Sequence, residues 1–311
     1  MMPIRIALLC ATRRGYRVLE RLIALQPDAE LIVFSFREEA HEPLFMDDIK
    51  TLAKAHGATF YEARQVGADK WRSFWHSAPI DLMLAVSWRY LIPREVFELP
   101  ARGTFIFHDS LLPEYRGFSP TVWAIINGED HTGVSLFEIA EGVDSGKIVA
   151  QQRVPIGADD TIADVMENVT QTYLHLLTQN LPILLDATAP RHEQDESQAT
   201  YTSKRIPDDS RIDWTQSTQA IYDLIRASTA PYPGAFTTLN GKKITLWEAR
   251  RVDLRPYVGR VVGRVIEIRR GEGAVVLTSD GALLITRVQW EGEMPVSADQ
   301  ILNSLSHTLG R

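Results

Sequence analysis

The chain has 311 residues, a formal net charge of −7 and a single cysteine, Cys10. That length accommodates two domains, and the acidic balance disfavours a general binder of nucleic acid or anionic membrane. One cysteine excludes an intramolecular disulfide framework, and no stretch approaches the ~18 apolar residues of a membrane helix.

The opening segment, MMPIRIALLCATRRGYRVLE, lacks a secretory pattern: its apolar run is short and an arginine pair follows it. A cytoplasmic location is therefore expected. Residues 4–11, IRIALLCA, read as a buried parallel strand. Residues 16–25 carry apolar positions at helical spacing, and 30–36 form a second strand. A helix over 46–57 closes at Gly57, and a short strand follows at 58–63. Residues 81–88, DLMLAVSW, form another buried strand, 93–99 a helix, and 103–110, GTFIFHDS, the next strand. This alternation predicts an α/β domain with a doubly wound, mostly parallel, Rossmann-like sheet and helices on both faces. Ligands of such sheets bind at the carboxyl ends of the strands. Val86 to Arg89 and His108 to Ser110 would lie at that edge.

Strands over 132–140 and 147–156 and a long amphipathic helix over 161–187 complete a first domain of residues 1–189. Residues 190–207 are polar and read as a linker. From 208 to 311 the texture changes: one helix, 218–229, then short strands between glycine turns, with Asn240-Gly241 as a hairpin signal. A small, mostly β, OB-like barrel is expected there.

Two segments carry candidate chemistry. His108 closes an apolar strand in FIFHDSLLPEYRG, and Asp144 sits in the turn Gly142-Val143-Asp144-Ser145-Gly146. Alone, the histidine reads equally as a strand-end cap and the aspartate as an Asx-turn. Together at a sheet edge they suit acyl transfer. A histidine can meet an oxygen that becomes negative, and a carboxylate can orient that histidine and relay a proton. Ser110 shares the face of His108, but there is no G-x-S-x-G elbow for a serine hydrolase. No P-loop, no G-x-G-x-x-G and no metal-ligand histidine spacing is present, so no metal is expected.

The segment HDSLLPEYRGFSPTVWAIINGEDHTGVSLFEIAEGVDSGKIVAQ resembles the 10-formyltetrahydrofolate-dependent formyltransferase family. The match is specific from about 80 to 155 and looser through RIDWTQSTQAIYDLIRASTAPYPGAF, while the first 40 residues lack the Gly-rich opening of the tRNA-formylating branch. The resemblance implies a catalytic Asn-His-Asp trio, two members of which match His108 and Asp144. The third position holds Ile106, which removes a formyl-oxygen donor, a loss of ~2.7–4 kcal/mol of barrier. An isoleucine there resembles the hydrolase domain of formyltetrahydrofolate dehydrogenases. SWRYLIPREVFEL, PYPGAF and INGEDHTGV resemble instead the enzyme that formylates an aminoarabinose nucleotide.

The resemblance thus implies 10-formyltetrahydrofolate as co-substrate and a small-molecule amine acceptor on a nucleotide sugar, and it is compatible with a homodimer. Trp88, Tyr90 and Leu91 would wall the folate pocket, although Trp88 also reads as a core anchor. Arg13 and Arg14 follow strand one and suit a phosphate clamp or a solvated basic pair. Tyr115, Arg116 and Gly117 form a turn that can hold the acceptor. Between Lys242 and Arg270 nine basic side chains face three acidic ones. That stripe keeps tRNA among the candidate partners, with a solvated barrel surface as the alternative.

Overall fold

The computed structural model describes residues 3–39, 42–77, 79–253 and 255–311, which divide into two compact units. The first comprises 1–120, 132–154 and 167–202, and the second 121–131, 155–166 and 203–311.

The first unit is built on β1 (Arg5–Cys10), α1 (Thr12–Leu25), β2 (Glu30–Ser35), α2 (Met46–Ala55), β3 (Thr59–Glu62), α3 (Asp69–Ser77), β4 (Leu82–Val86), α4 (Arg94–Phe97) and β5 (Thr104–His108). Then come β6 (Arg116–Gly117), β7 (His131–Glu138), β8 (Ile148–Pro155), α6 (Ile162–Leu185) and β9 (Tyr201–Thr202), while α5 (Pro120–Ile126), between β6 and β7, and the first turn of α6 count with the second unit. The main sheet runs β3-β2-β1-β4-β5-β7-β8. Its first five strands are parallel, as their continuous apolar runs require. β7 pairs with β5 antiparallel, His108 opposite Ser135, so the mostly parallel expectation holds.

Strand alternation sorts the side chains of β5 onto two faces. Ile106 packs with Phe34, Trp75, Met83, Ala85 and Val96 on the α3–α4 face. Phe107 stacks on Tyr173 of α6 on the other, centroids 4.9 Å apart. His108 shares the face of Ile106, and Asp109 continues the face of Phe107. α3 was not visible in the apolar periodicity. Its Trp71, Phe74 and Trp75 nevertheless lie at i, i+3 and i+4, and all three rings pack edge-on or stacked against Phe34.

The second unit carries α7 (Thr218–Ser228), β10 (Ala235–Leu239), β11 (Lys242–Arg251), β12 (Val265–Arg269), β13 (Gly273–Leu277), β14 (Ala282–Trp290), β15 (Val296–Ser297) and α8 (Ala298–Ile301). The order β10-β11-β14-β13-β12 is antiparallel throughout, with β15 beside β14. Asn240 and Gly241 turn the β10–β11 hairpin at φ 52° and 75°, the paired left-handed conformations this two-residue loop needs. The carboxyl-terminal segment bridges both edges of the sheet, Leu309 to Leu239 and Thr308 to Arg264. Ile221, Ile225, Ile244, Leu246, Val276 and Ile285 form its core. No described helix is long and apolar enough to cross a membrane.

Candidate active site

β4 and β5 end side by side, so the chain leaves the same sheet edge after Val86 and after His108. Five non-glycine residues around that edge adopt left-handed backbone: Thr12, Ser87, Tyr115, Ser119 and Asp144, at φ 65°, 52°, 57°, 55° and 47°. Such strain costs of order 1–3 kcal/mol each and gathers at active sites and ligand clamps.

β7 leaves the sheet beside Thr104, where Ile139 N–H donates to its carbonyl. The loop after it folds back and brings Asp144 to His108. His108 is buried, and its Nε2 donates to the Tyr115 carbonyl at 2.8 Å. A carbonyl only accepts, so Nε2 carries a hydrogen, and Nδ1 faces Asp144. Nδ1 stands 3.6 Å from Asp144 Oδ2, an ion-pair distance rather than a hydrogen bond. Asp144 Oδ2 also accepts from the Gly117 N–H at 2.7 Å. No donor among the described residues reaches Oδ1. One carboxylate oxygen is therefore fixed and the other is open to a proton.

The glycines of both turns are required by close approach. Gly117 has φ 103°, and a Cβ there would lie 2.6 Å from the Thr202 carbonyl oxygen. A Cβ on Gly146 would fall 1.6 Å from the carbonyl oxygen of Glu138.

Tyr115 faces the site through its backbone, while its own N–H donates to Thr200 Oγ1 at 2.8 Å. The Arg116 side chain is 1% exposed. It donates to Gln194 Oε1 from Nε and Nη2, to Glu196 at 2.9 and 2.6 Å, and to the Tyr201 hydroxyl at 3.0 Å. The Glu196 hydrogen bond pushes the guanidinium above its usual range. Arg116 thus builds the turn from within.

The arginine pair after β1 divides. Arg13 is 60% exposed and pairs with Glu167 at 2.8 Å. Arg14 is buried: Nη1 donates to both Asp109 oxygens at 2.7 Å, and its guanidinium lies 4.7 Å from the Tyr173 ring centre. The Tyr173 hydroxyl also donates to Asp109. Burial pushes the Asp109 carboxyl up, but the Arg14 charge and the Tyr173 hydrogen bond outweigh it, holding the group below the usual carboxylate range. Burial and the Asp109 charge push Tyr173 up. Asp109→Ala leaves Arg14 buried without its carboxylate, and a loss of about 3–5 kcal/mol is expected in urea denaturation at pH 7. Because the folded carboxyl is depressed, the loss should shrink as pH falls through that depressed value, where wild-type Asp109 protonates too.

Ile106 lies between Ala85 of β4 and Phe137 of β7 and is half-buried. Trp88 packs edge-on against Phe36 and Tyr90, centroids 5.4 and 6.0 Å away. Its Nε1 is buried and finds no acceptor among the described residues, at a cost of about 1–3 kcal/mol. Leu91 is 84% exposed. The structure therefore brings His108, Asp144, Tyr115 and Gly117 together directly and Arg116 behind them, while Arg13 and Arg14 engage α6. A cavity of about 630 Å³ opens at the other end of β5, beside Arg102, Thr104, Glu138 and Arg191, and includes neither His108 nor Asp144. No group of three His, Cys, Asp or Glu among the described residues can hold a metal ion.

Sequence reasoning missed Gln194, Glu196 and Tyr201, which lie in the segment read as a linker, and Tyr173 and Asp109. Asp109 is the one with a signal, since it stands inside the quoted strand end.

Comparison with known proteins matches residues 19–181 to the formyl transferase family model and 205–306 to the formyl transferase C-terminal domain. A methionyl-tRNA formyltransferase of Moorella thermoacetica is 39% identical over 220 residues, 70% of each chain. Among solved structures, an N-formyltransferase from Helicobacter canadensis, in complex with folinic acid and dTDP-3-aminofucose, aligns with a TM-score of 0.67 at 19% identity, over 91% of this chain and 98% of that one. HypX from Aquifex aeolicus in complex with tetrahydrofolic acid aligns with a TM-score of 0.64 at 22% identity, over 97% of this chain; the chain spans 47% of HypX.

Proposed function

The chain belongs to the formyl transferase family, whose members are folate-dependent one-carbon transferases, and from that premise we propose that it moves a formyl group from 10-formyltetrahydrofolate to a primary amine on a nucleotide-linked amino sugar. The observation that carries this reading is the His108–Asp144 pair, with one carboxylate oxygen held by Gly117 and the other open.

In this reading the neutral amine attacks the formyl carbon, and a C–N bond forms as the carbonyl oxygen becomes negative. Asp144 takes the amine proton on Oδ1. His108 turns its N–H from the Tyr115 carbonyl to the new oxyanion, where a donor stabilises charge that the ground state lacks. The carbonyl then re-forms as the bond from the formyl carbon to the folate nitrogen breaks, and that nitrogen takes the proton Asp144 received from the amine. In this reading Trp88, Tyr90 and Leu91 would wall the pterin ring, the first two with aromatic surface at the end of β4 and the exposed Leu91 with an apolar one. Ile106 supplies no donor, which leaves His108 as the main side chain on the oxyanion.

Ile106→Asn restores an amide beside His108 and is expected to raise kcat for transfer, by up to ~10²-fold. Formation of formylated product by the purified variant checks this, and a fall in rate with an unchanged melting temperature would contradict it.

The aminosugar reading draws support from the Helicobacter N-formyltransferase likeness. A second reading, formylation of methionyl-tRNA, is favoured by the Moorella relative. Mass spectrometry of reactions supplied separately with aminosugar nucleotides and with methionyl-tRNA separates them. Formylation of the tRNA alone would sink the sugar reading. The single cysteine suits a reducing compartment, and we place the reaction in the cytoplasm.

A further inference from the structure

Residues 192–202 touch both turns of the candidate site. On one side His192 exchanges backbone hydrogen bonds with Ile148, and Lys147 pairs with Glu193 at 2.8 Å. On the other, Arg116 N–H donates to the Thr200 carbonyl, Phe118 N–H to that of Thr202, and Thr202 Oγ1 to that of Arg116. β6 and β9 pair in parallel across this contact. The two turns held in this way carry Asp144 and its donor Gly117.

Gln194 stands at the centre of the strap. Its Oε1 accepts from Arg116 Nε at 3.1 Å and Nη2 at 2.7 Å. Its Nε2 donates to the Asp144 carbonyl at 2.8 Å and to the Gly146 carbonyl at 2.7 Å. All four possibilities of the amide are used in one orientation, because the reverse would set NH₂ against a guanidinium and C=O against two carbonyls. A residue outside both motifs thus joins the Arg116 turn to the backbone of Asp144 itself. Asp144 is held at φ 47° there, a conformation that needs outside support.

We propose that Gln194 is a positioning residue for Asp144. It acts through the Asp144 and Gly146 carbonyls and through Arg116, and it never touches substrate. The Asp144 carboxylate reaches His108 and Gly117 because this amide fixes the loop behind it. The charged groups around Asp144 are Asp109 with Arg14, behind His108, and Arg116 with Glu196 on the strap side. Gln194 therefore works as a neutral spacer inside a crowded set of charges. The functional half of the inference rests on formyl transfer as the reading of the site; the geometric half does not.

Two variants separate the two ends of the amide. Gln194→Ala loses both ends. Gln194→Glu keeps an acceptor for Arg116 and loses both donors to the Asp144 loop. The first readout is amide hydrogen exchange at Gly117 in the full-length protein without ligand, since that N–H is protected by Asp144 Oδ2. Both variants are expected to exchange there at least tenfold faster than wild type, with the β1 and β4 amides still protected. The second readout is kcat against KM. A misplacement of this kind lowers kcat by about a hundredfold while KM for the folate stays within a few-fold. Unchanged protection at Gly117 in both variants would overturn the proposal, as would full kcat in Gln194→Glu. Faster exchange at Gly117 in a protein whose wild type transfers no formyl group would leave the positioning role standing and remove the formyl-transfer reading instead.

Discussion

His108→Ala is expected to lower formyl transfer by about 10²–10³-fold, the range for losing one oxyanion donor. The imidazole nitrogens face both a turn carbonyl, that of Tyr115, and a carboxylate, that of Asp144. Alanine removes that donor from the Tyr115 carbonyl, while the Tyr115 N–H still donates to Thr200 Oγ1 and holds the turn. It offers no N–H to the oxyanion. The deficit should therefore fall on kcat, with KM for the folate close to wild type. Single-turnover kinetics of formylated product checks this, and a loss of less than threefold would remove His108 from the chemistry.

Asp144→Asn should be comparably severe, about 10²–10⁴-fold in kcat. The amide oxygen can still accept from Gly117 N–H, and Gln194 still holds the backbone carbonyl. Shape is thus preserved while the open oxygen loses its capacity to take the amine proton. Single-turnover formation of formylated product by the purified variant checks this. A loss of less than threefold would assign the base to another group. In that case Asp144 would serve only the turn that its φ of 47° suggests.

Much of this arrangement is legible in the residues themselves. The buried strands announce themselves as apolar runs, and Asn240-Gly241 marks its hairpin because both residues tolerate positive φ. His108 and Asp144 stand out through the strand-end and D-x-G signatures, and the structure places them 3.6 Å apart. The direction of β7 was not legible, because an apolar run reads the same in a parallel or an antiparallel partner. α3 hid among polar neighbours, although its aromatic spacing was helical. Buried ion pairs leave still less trace. Arg14 beside Arg13 looks like a surface pair, and only the alternation of β5, which turns Asp109 toward α6, buries it. The strap over 192–202 is polar, with no periodicity, so its long-range hydrogen bonds could not be read from its own residues.

The most direct measurement is the release of tetrahydrofolate from 10-formyltetrahydrofolate by the wild-type chain, with and without a panel of aminosugar nucleotides. Release is expected only when one acceptor is present, with a matching gain of a formyl group in that acceptor's mass. Release at the same rate with no amine would contradict this and make Ile106 the mark of a hydrolase.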